Sequence, residues 1–579
     1  MEWLNEYSRE FLVKDYLLPG VSPEDRIKEI SEHAEKILKK EGFAKKFYNY
    51  MSKGYYSLST PIWLNFGLDR GLPISCFGSY AGDDMGQILF TLSEIGMMTK
   101  YGGGTSVYFG DVRERGAKIK NNGTSSGSVH FMQMFDTATN VISQGSARRG
   151  HVALYLPIEH PDIEEFLNIG TEGDKIQEST YAVTVSDEWF KSMIAGDTKK
   201  REIWAKVLQR RSQIGYPYIL FSDTVNNNTV DVYKDKGLRI YASNLCSEIA
   251  LPSNEKWSFV CCLSSMNVFH YNEWKDTDAV ETMVVFLDAV IEDFILKLEA
   301  KKNSSNINDR QAFLFMERAY NFAKENRALG LGVLGWHSFL QNNMLSFESK
   351  RAKELNIEIF KLINEKAYRA SKDLANEYGE PDILKGYGRR NTTLLAVAPT
   401  TSSSFILGQV SQGIEPVFSN CFVKDLEKIK VTFRNKFLER LLITKNKNTD
   451  EVWKSILDND GSVQYLDFLE KEEKEIFKTF SEIDQNVIIE QAGDRQKFID
   501  QGQSLNLMIN PSTSVKDINA LYIKAWESEV KSLYYQHSMN AAQQFNRNKL
   551  QAINLENKEK QNYKVYLAES DSLCVSCEA

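Results

Sequence analysis

Five short β-prone runs, His151 to Pro157, Ala182 to Val185, Tyr216 to Phe221, Phe259 to Leu263 and Thr393 to Ala398, alternate with helical stretches along the chain. Parallel strands need long crossovers, usually helices, so this alternation predicts a largely parallel α/β sheet or barrel. One intervening helix carries Val280, Met283, Val284, Leu287, Val290, Ile291 and Phe294 on a single face, and another runs from Ala352 to Tyr378 and closes on Gly379 and Pro381. Residues 22 to 54 read as helix: Ser22 and Pro23 start it, Ile27, Ile30, Ala34 and Ile37 recur at helical spacing, and Gly42 can end it. A helical region over 1–60 therefore precedes the sheet. No internal repeat is present, and 579 residues allow one large catalytic unit.

Composition removes several classes. Hydrophobic residues make up 42% and charged residues 26%, with 34 Gly and 12 Pro, which excludes a disordered or fibrous chain. A net charge of −8 gives no broad basic field for tracking nucleic acid. Seven cysteines are too few for a disulfide-built secreted scaffold, and MEWLNEYSRE has no apolar signal core, so a reducing cytoplasm is expected. The most apolar helical run, Val280 to Leu298, is broken by Asp288, Glu292 and Asp293, so no membrane segment is expected. Gly102, Gly103 and Gly104, and then Gly116, Gly123 and Gly127, read as tight turns whose amides could approach a phosphate. Residues 422–500, rich in Lys and Glu, read as a helical insertion, and 548–579 as a mobile polar tail.

The cysteines carry the chemistry. Cys574 and Cys577 form CxxC on the tail; zinc normally takes four ligands, none of the others is in view, and the spacing lowers thiol pKa, so a redox pair is favoured over half of a metal site. Asn244, Cys246 and Glu248 alternate, so an extended backbone would aim amide, thiol and carboxylate at one face, although Cys246 alone could be a buried apolar thiol. Cys261 lies in the strand-like FVCCLSSMN and can reach a neighbouring strand; Cys262 must then face the other way, into the core. APTTSSSF, 398 to 405, follows the apolar run TTLLAV with five consecutive hydroxyls, suited to an anion, with a plain polar turn as the alternative. Tyr534 and Tyr535 in KSLYYQHS would ordinarily be packing residues.

Taken together, NLCSEIALP, Ser75-Cys76, Cys261 with LSSMN, PTTSSS, LYYQ and a terminal CxxC resemble the catalytic large subunit of class I ribonucleotide reductase, in that family's order from about residue 17 onward. The resemblance implies a ten-stranded α/β barrel of two parallel halves with a central finger loop. It implies that Cys246 becomes a thiyl radical that removes the 3′ hydrogen of a ribonucleoside diphosphate, with Glu248 as base and Asn244 bound to the sugar. Cys76 and Cys261 would reduce the substrate and become a disulfide, which Cys574 and Cys577 re-reduce before thioredoxin or glutaredoxin renews them. Tyr534 and Tyr535 would relay the oxidising equivalent from a metal-containing small subunit, this chain binding no cofactor of its own. Thr60, Ser75, Thr400, Thr401, Ser402, Ser403 and Ser404 would hold the substrate and its phosphates.

The same resemblance implies a homodimer whose interface binds a deoxynucleoside triphosphate or ATP as specificity effector, through Asp83, Arg113 and Lys120, with Arg148 in GSARRG reading effector identity. Lys120 stands where Arg is expected. LLPG begins at residue 17, so an N-terminal ATP cone is not expected. An adenosylcobalamin-dependent reductase and a non-catalytic nucleotide-binding redox regulator are the alternatives; the first has no need of a tyrosine pair, and the intact Asn244, Cys246, Glu248, Cys76 and Cys261 argue against the second.

Overall fold

The computed structural model describes residues 1–144, 149–426, 429–510 and 512–538. Nine strands form the main sheet: β1 (Tyr56–Leu58), β2 (Cys76–Tyr80), β3 (Gly104–Tyr108), β4 (Val152–Pro157), β5 (Thr180–Val185), β6 (Tyr218–Phe221), β7 (Phe259–Asn267), β8 (Leu329–Leu334) and β9 (Ser532–Leu533). β2 to β6 are parallel neighbours in chain order. The helices Met85–Lys100, Ser128–Val141 and Thr198–Ile214 supply the long returns that parallel pairing demands. β7 runs antiparallel to β2, and β8 lies parallel to β7 along its other edge, starting a second parallel group. This mixed α/β sheet curls around a buried centre, and an all-helical region precedes it.

Beyond β8 the pairing thins to single bridges, Leu331 to Leu395 and Val397 to Gln503, both parallel. The predicted strand Thr393–Ala398 is thus present only as these contacts. The Asp500 carboxylate captures the N–H groups of Leu394 (2.6 Å) and Leu395 (3.2 Å), which diverts two donors from a regular ladder. The path returns to β6 through 503–509 and 532–538: Leu507–Ile509 pairs parallel with Gln536–Ser538, and β9 pairs antiparallel with β6.

One strand emerges where glycine pointed to a turn, and a second is itself rich in glycine. β3 grows out of GGGTSVY, and β8 is LGLGVL. A Cβ at Gly330 would sit 2.4 Å from Leu263 and 3.1 Å from the Cys261 sulfur, so the missing side chain lets β8 press against β7.

The N-terminal helix is two helices, Pro23–Leu38 and Phe43–Ser52. Ser22 caps the first, accepting from the Asp25 N–H, and Lys39 (φ 52) and Gly42 (φ 83) turn the chain between them. The apolar helix Ala279–Lys302 packs on β7 and β8. Its Asp288 is buried yet ionised: burial opposes the charge, but Arg327 and Arg390 hold the carboxyl below its usual range, each guanidinium donating at 2.8 Å. The 422–500 region opens on a hairpin, Cys421–Leu426 with Ile429–Arg434, before its helices, and Leu438, Leu442, Trp453, Ile456 and Phe477 form a small core there. Gln485–Gln496, near its end, packs instead on the long helix Lys350–Tyr378, with Ile488 and Ile489 in the main core. Among the described residues no helix is long and apolar enough to cross a membrane.

Candidate active site

Strand register creates the first element of the site. β2 and β7 set Cys76 directly opposite Cys261, both fully buried. Residues directly opposite in an antiparallel pair have Cα atoms about 4.5–5.5 Å apart, inside the roughly 4.4–6.8 Å that a disulfide requires. Both are free thiols here. Alternation along β7 sends Cys262 to the opposite face, where it feels Asp288 of the helix Ala279–Lys302. Burial pushes the Cys261 thiol well above its usual range, with the neighbouring Cys76, Cys262 and Glu248 acting in the same direction and a hydrogen bond from Gln501 against it.

The second element is the segment 243–250, a tight turn rather than an extended run. Ser247 takes a left-handed φ of 66° and its N–H donates to the Asn244 carbonyl at 3.3 Å. Many local bonds hold this strained shape: Ser243 Oγ donates to the Ile249 carbonyl (2.6 Å), Ile249 N–H to Asn244 Oδ1 (3.1 Å), Tyr155 Oη to the Asn244 carbonyl (2.7 Å) and Ser532 Oγ to the Ser247 carbonyl (2.6 Å). From this turn three buried side chains reach different partners. Asn244 Nδ2 donates to Cys76 Sγ at 3.2 Å. Cys246 Sγ lies 3.6 Å from Tyr534 Oη. Glu248 Oε2 accepts from Ser504 Oγ at 3.0 Å.

Tyr534 and Tyr535 form the third element, with ring centroids 4.4 Å apart; Tyr534 is buried and Tyr535 half-buried. His537 lies 5.9 Å beyond Tyr535, so a ring sequence leads outward from Cys246.

The hydroxyl cluster turns on Thr400, left-handed at φ 58°, which precedes the helix Thr401–Ile406. Thr400 Oγ1 accepts from the Gly413 N–H (2.8 Å), Thr401 donates to Gln412 (3.2 Å), Ser404 to the Thr401 carbonyl (2.8 Å) and Ser403 to the Leu58 carbonyl (3.5 Å). Ser402 is buried in the same turn. Thr60 bonds Tyr16 Oη at 3.2 Å. Ser75 ends the segment leading into Cys76, and its buried hydroxyl has no partner among the described residues. The same holds for the buried hydroxyls of Ser59 after β1 and of Ser264 and Ser265 within β7, so buried hydrogen-bonding capacity is left over for another molecule.

Asp83 and Arg113 come together as an ion pair, Nε to Oδ2 2.7 Å, and Arg113 also donates to the Lys118 carbonyl at 3.3 Å. Lys120 is exposed at the tip of the adjoining hairpin, Lys118–Ile119 with Gly123–Thr124. Arg148, Cys574 and Cys577 lie outside the described residues.

Three contributors had no local signal in the sequence: Gln501, which donates to Cys261 Sγ (3.4 Å) and accepts from the Ala250 N–H (3.0 Å), Ser504 and Tyr155. Their partners are far away in the chain. Only the alternating polar run Gln501-Gly502-Gln503-Ser504 hints at a polar lining.

Residues 2–71 match the all-alpha domain of ribonucleotide reductase, and 74–199, 193–383 and 381–536 match its barrel domain, so the chain belongs to the ribonucleotide reductase family. It is similar to the ribonucleoside-diphosphate reductase large subunit of Invertebrate iridescent virus 3, at 31% identity over 86% of this chain and 88% of the relative. The alpha subunit from Chlamydia trachomatis is 28% identical over 87% of this chain and 55% of its own length. Among solved structures, the Actinobacillus ureae class Id ribonucleotide reductase alpha subunit superimposes with a TM-score of 0.87 at 54% identity, covering 93% of this chain and 98% of that one. Within the family the chain is the catalytic large subunit of a class I ribonucleoside-diphosphate reductase, which works on ribonucleotides with a radical from a separate small subunit. The cobalamin-dependent and regulatory readings fall away.

Proposed function

We propose that Cys246 is the radical-bearing thiol and that Cys76 and Cys261 are the reducing pair. The observation that carries this is the direct register of Cys76 and Cys261, with Asn244 of the Cys246 turn hydrogen-bonded to the Cys76 sulfur. The Cys246 thiyl takes the 3′ hydrogen of the ribose and becomes a thiol, while Glu248 accepts the 3′ hydroxyl proton. The 2′ hydroxyl leaves as water, and the dithiol supplies the two electrons and two hydrogens, forming one S–S bond. Cys246 then returns its hydrogen to C3′ and is a thiyl again, as Glu248 gives the borrowed proton back to the 3′ oxygen. Asn244 orients the sugar beside the sulfur it already touches.

Tyr535 and Tyr534 relay the oxidising equivalent to Cys246, supported by their ring contact and by the 3.6 Å approach of Tyr534 to the sulfur. The substrate diphosphate is held by Thr400, Thr401, Ser402, Ser403 and Ser404, with Thr60 and Ser75 beside them, through hydroxyls and amides rather than cations. Cys574 and Cys577 re-reduce the Cys76–Cys261 disulfide by thiol exchange and are themselves renewed by thioredoxin or glutaredoxin. A deoxynucleoside triphosphate or ATP at a homodimer interface sets substrate choice through Asp83, Arg113, Lys120 and Arg148. The sheet is a closed barrel of ten strands in two parallel halves; the bridges through Leu395, Val397 and Gln503 and the return to β6 support that closure. The setting is the cytoplasm.

The test is to mix the chain with class I small subunits and measure deoxyribonucleoside diphosphate formation under different deoxynucleoside triphosphates. Effector-dependent reduction supports the whole reading, and no product with any small subunit overturns it.

A further inference from the structure

A third tyrosine touches both members of the relay. The Tyr218 ring, at the start of β6, lies 4.7 Å from Tyr534 and 5.1 Å from Tyr535, close to the 4.4 Å that separates the pair themselves. Tyr216, two residues earlier, is 6.0 Å from Tyr218 and 6.2 Å from Tyr535. The pairing of Ile219 with Leu533 fixes this arrangement, because it docks the start of β6 against the strand that carries the tyrosine pair. Tyr218 is buried, and all four rings share one packed cluster with Cys246. Unlike a phenylalanine of the same shape, Tyr218 brings to this cluster the O–H bond that exchange with a phenoxyl radical requires.

We infer that Tyr218, with Tyr216 behind it, is a side branch of the relay that takes up the oxidising equivalent when Cys246 cannot. This rests on the relay reading of Tyr534 and Tyr535. The step is a hydrogen-atom exchange between like groups: the Tyr218 O–H bond breaks, a Tyr534 or Tyr535 O–H bond forms, and one electron and one proton move together. No outside reagent enters, and because donor and acceptor are both phenols the exchange runs in either direction. The equivalent is thereby held on a phenol, next to the path and away from substrate, until the thiol is ready.

The experiment places 3-aminotyrosine, more easily oxidised than tyrosine and nearly the same shape, at 218, at 216 or at 534 in the full-length chain. Each protein is mixed with a class I small subunit, ribonucleoside diphosphate and effector, then frozen for electron paramagnetic resonance. The expected result is loss of the small subunit's radical, matched by an aminotyrosyl radical at 534, at 218 and, in smaller amount, at 216. Radical at 534 with none at 218 overturns the branch and leaves the relay standing. No radical at 534 overturns the relay and the branch with it. Putting the 218 probe into Cys246→Ser, where the forward step is blocked, should raise its radical yield; an unchanged or lower yield contradicts a store for equivalents that the thiol cannot accept.

Discussion

Asn244 Nδ2 lies 3.2 Å from the sulfur of Cys76, a bond that ties the Cys246 turn to the dithiol on the neighbouring sheet. The same amide accepts the Ile249 N–H through Oδ1, so one side chain both shapes the turn and points it. Asn244→Ala is expected to lower kcat about tenfold to a hundredfold, the equivalent of roughly 1–3 kcal/mol for a buried hydrogen-bonding group. KM should change far less. A fall in substrate affinity with kcat preserved would show that Asn244 serves binding alone.

The opposed cysteines predict what is found after a single turnover. With the small subunit and substrate but no external reductant, in Cys574→Ser/Cys577→Ser, the product should stop near one equivalent per active site. Peptide mapping under non-reducing conditions should then recover a Cys76–Cys261 link. A link through Cys262, on the other face of β7, would contradict the register argument.

Tyr534→Phe removes the phenolic O–H with little change in volume. The relay requires a hydrogen to pass from Cys246 to this oxygen, so turnover with the small subunit should be lost while the protein stays folded. A rate within a factor of about two of the parent, well under 1 kcal/mol of barrier, would remove Tyr534 from the path.

Glu415 is buried and accepts from Asn506, whose Oδ1 in turn takes the Tyr535 N–H. Burial pushes its carboxyl up to about 8, with the Asn506 bond opposing. The folded protein therefore keeps a proton that the unfolded chain loses near its ordinary value of 4.5. Between these values the folded state binds more protons, so stability falls as pH rises, by at most about 1.4 kcal/mol per pH unit. Thermal scans from pH 5 to 8 should show a shallower loss of Tm in Glu415→Gln than in the parent. Equal slopes would mean that Glu415 ionises normally.

The fold class was readable because long amphipathic helices such as 279–302 and 350–378 leave a strong periodic signal between apolar strands. β3 and β8 were not, because glycines that let strands approach closely look locally like turns. In the site, the Asn244, Cys246 and Glu248 spacing pointed to an extended run with side chains on one face; Ser247 instead turns the chain, and the three side chains separate to Cys76, Tyr534 and Ser504. That turn is imposed by Tyr155 and Ser532, which lie far off in sequence. The pairing of Cys76 with Cys261 came from family resemblance, since no local pattern links residues so distant in the chain, and Gln501 was invisible for the same reason.

The most direct test of the account is Cys246→Ser, which replaces one sulfur by oxygen in a side chain that is 1% exposed. Assayed with the small subunit, effector and ribonucleoside diphosphate, this variant should bind nucleotide as the parent does and form no deoxynucleotide. Deoxynucleotide formation at the parental rate would contradict the assignment of the radical to Cys246.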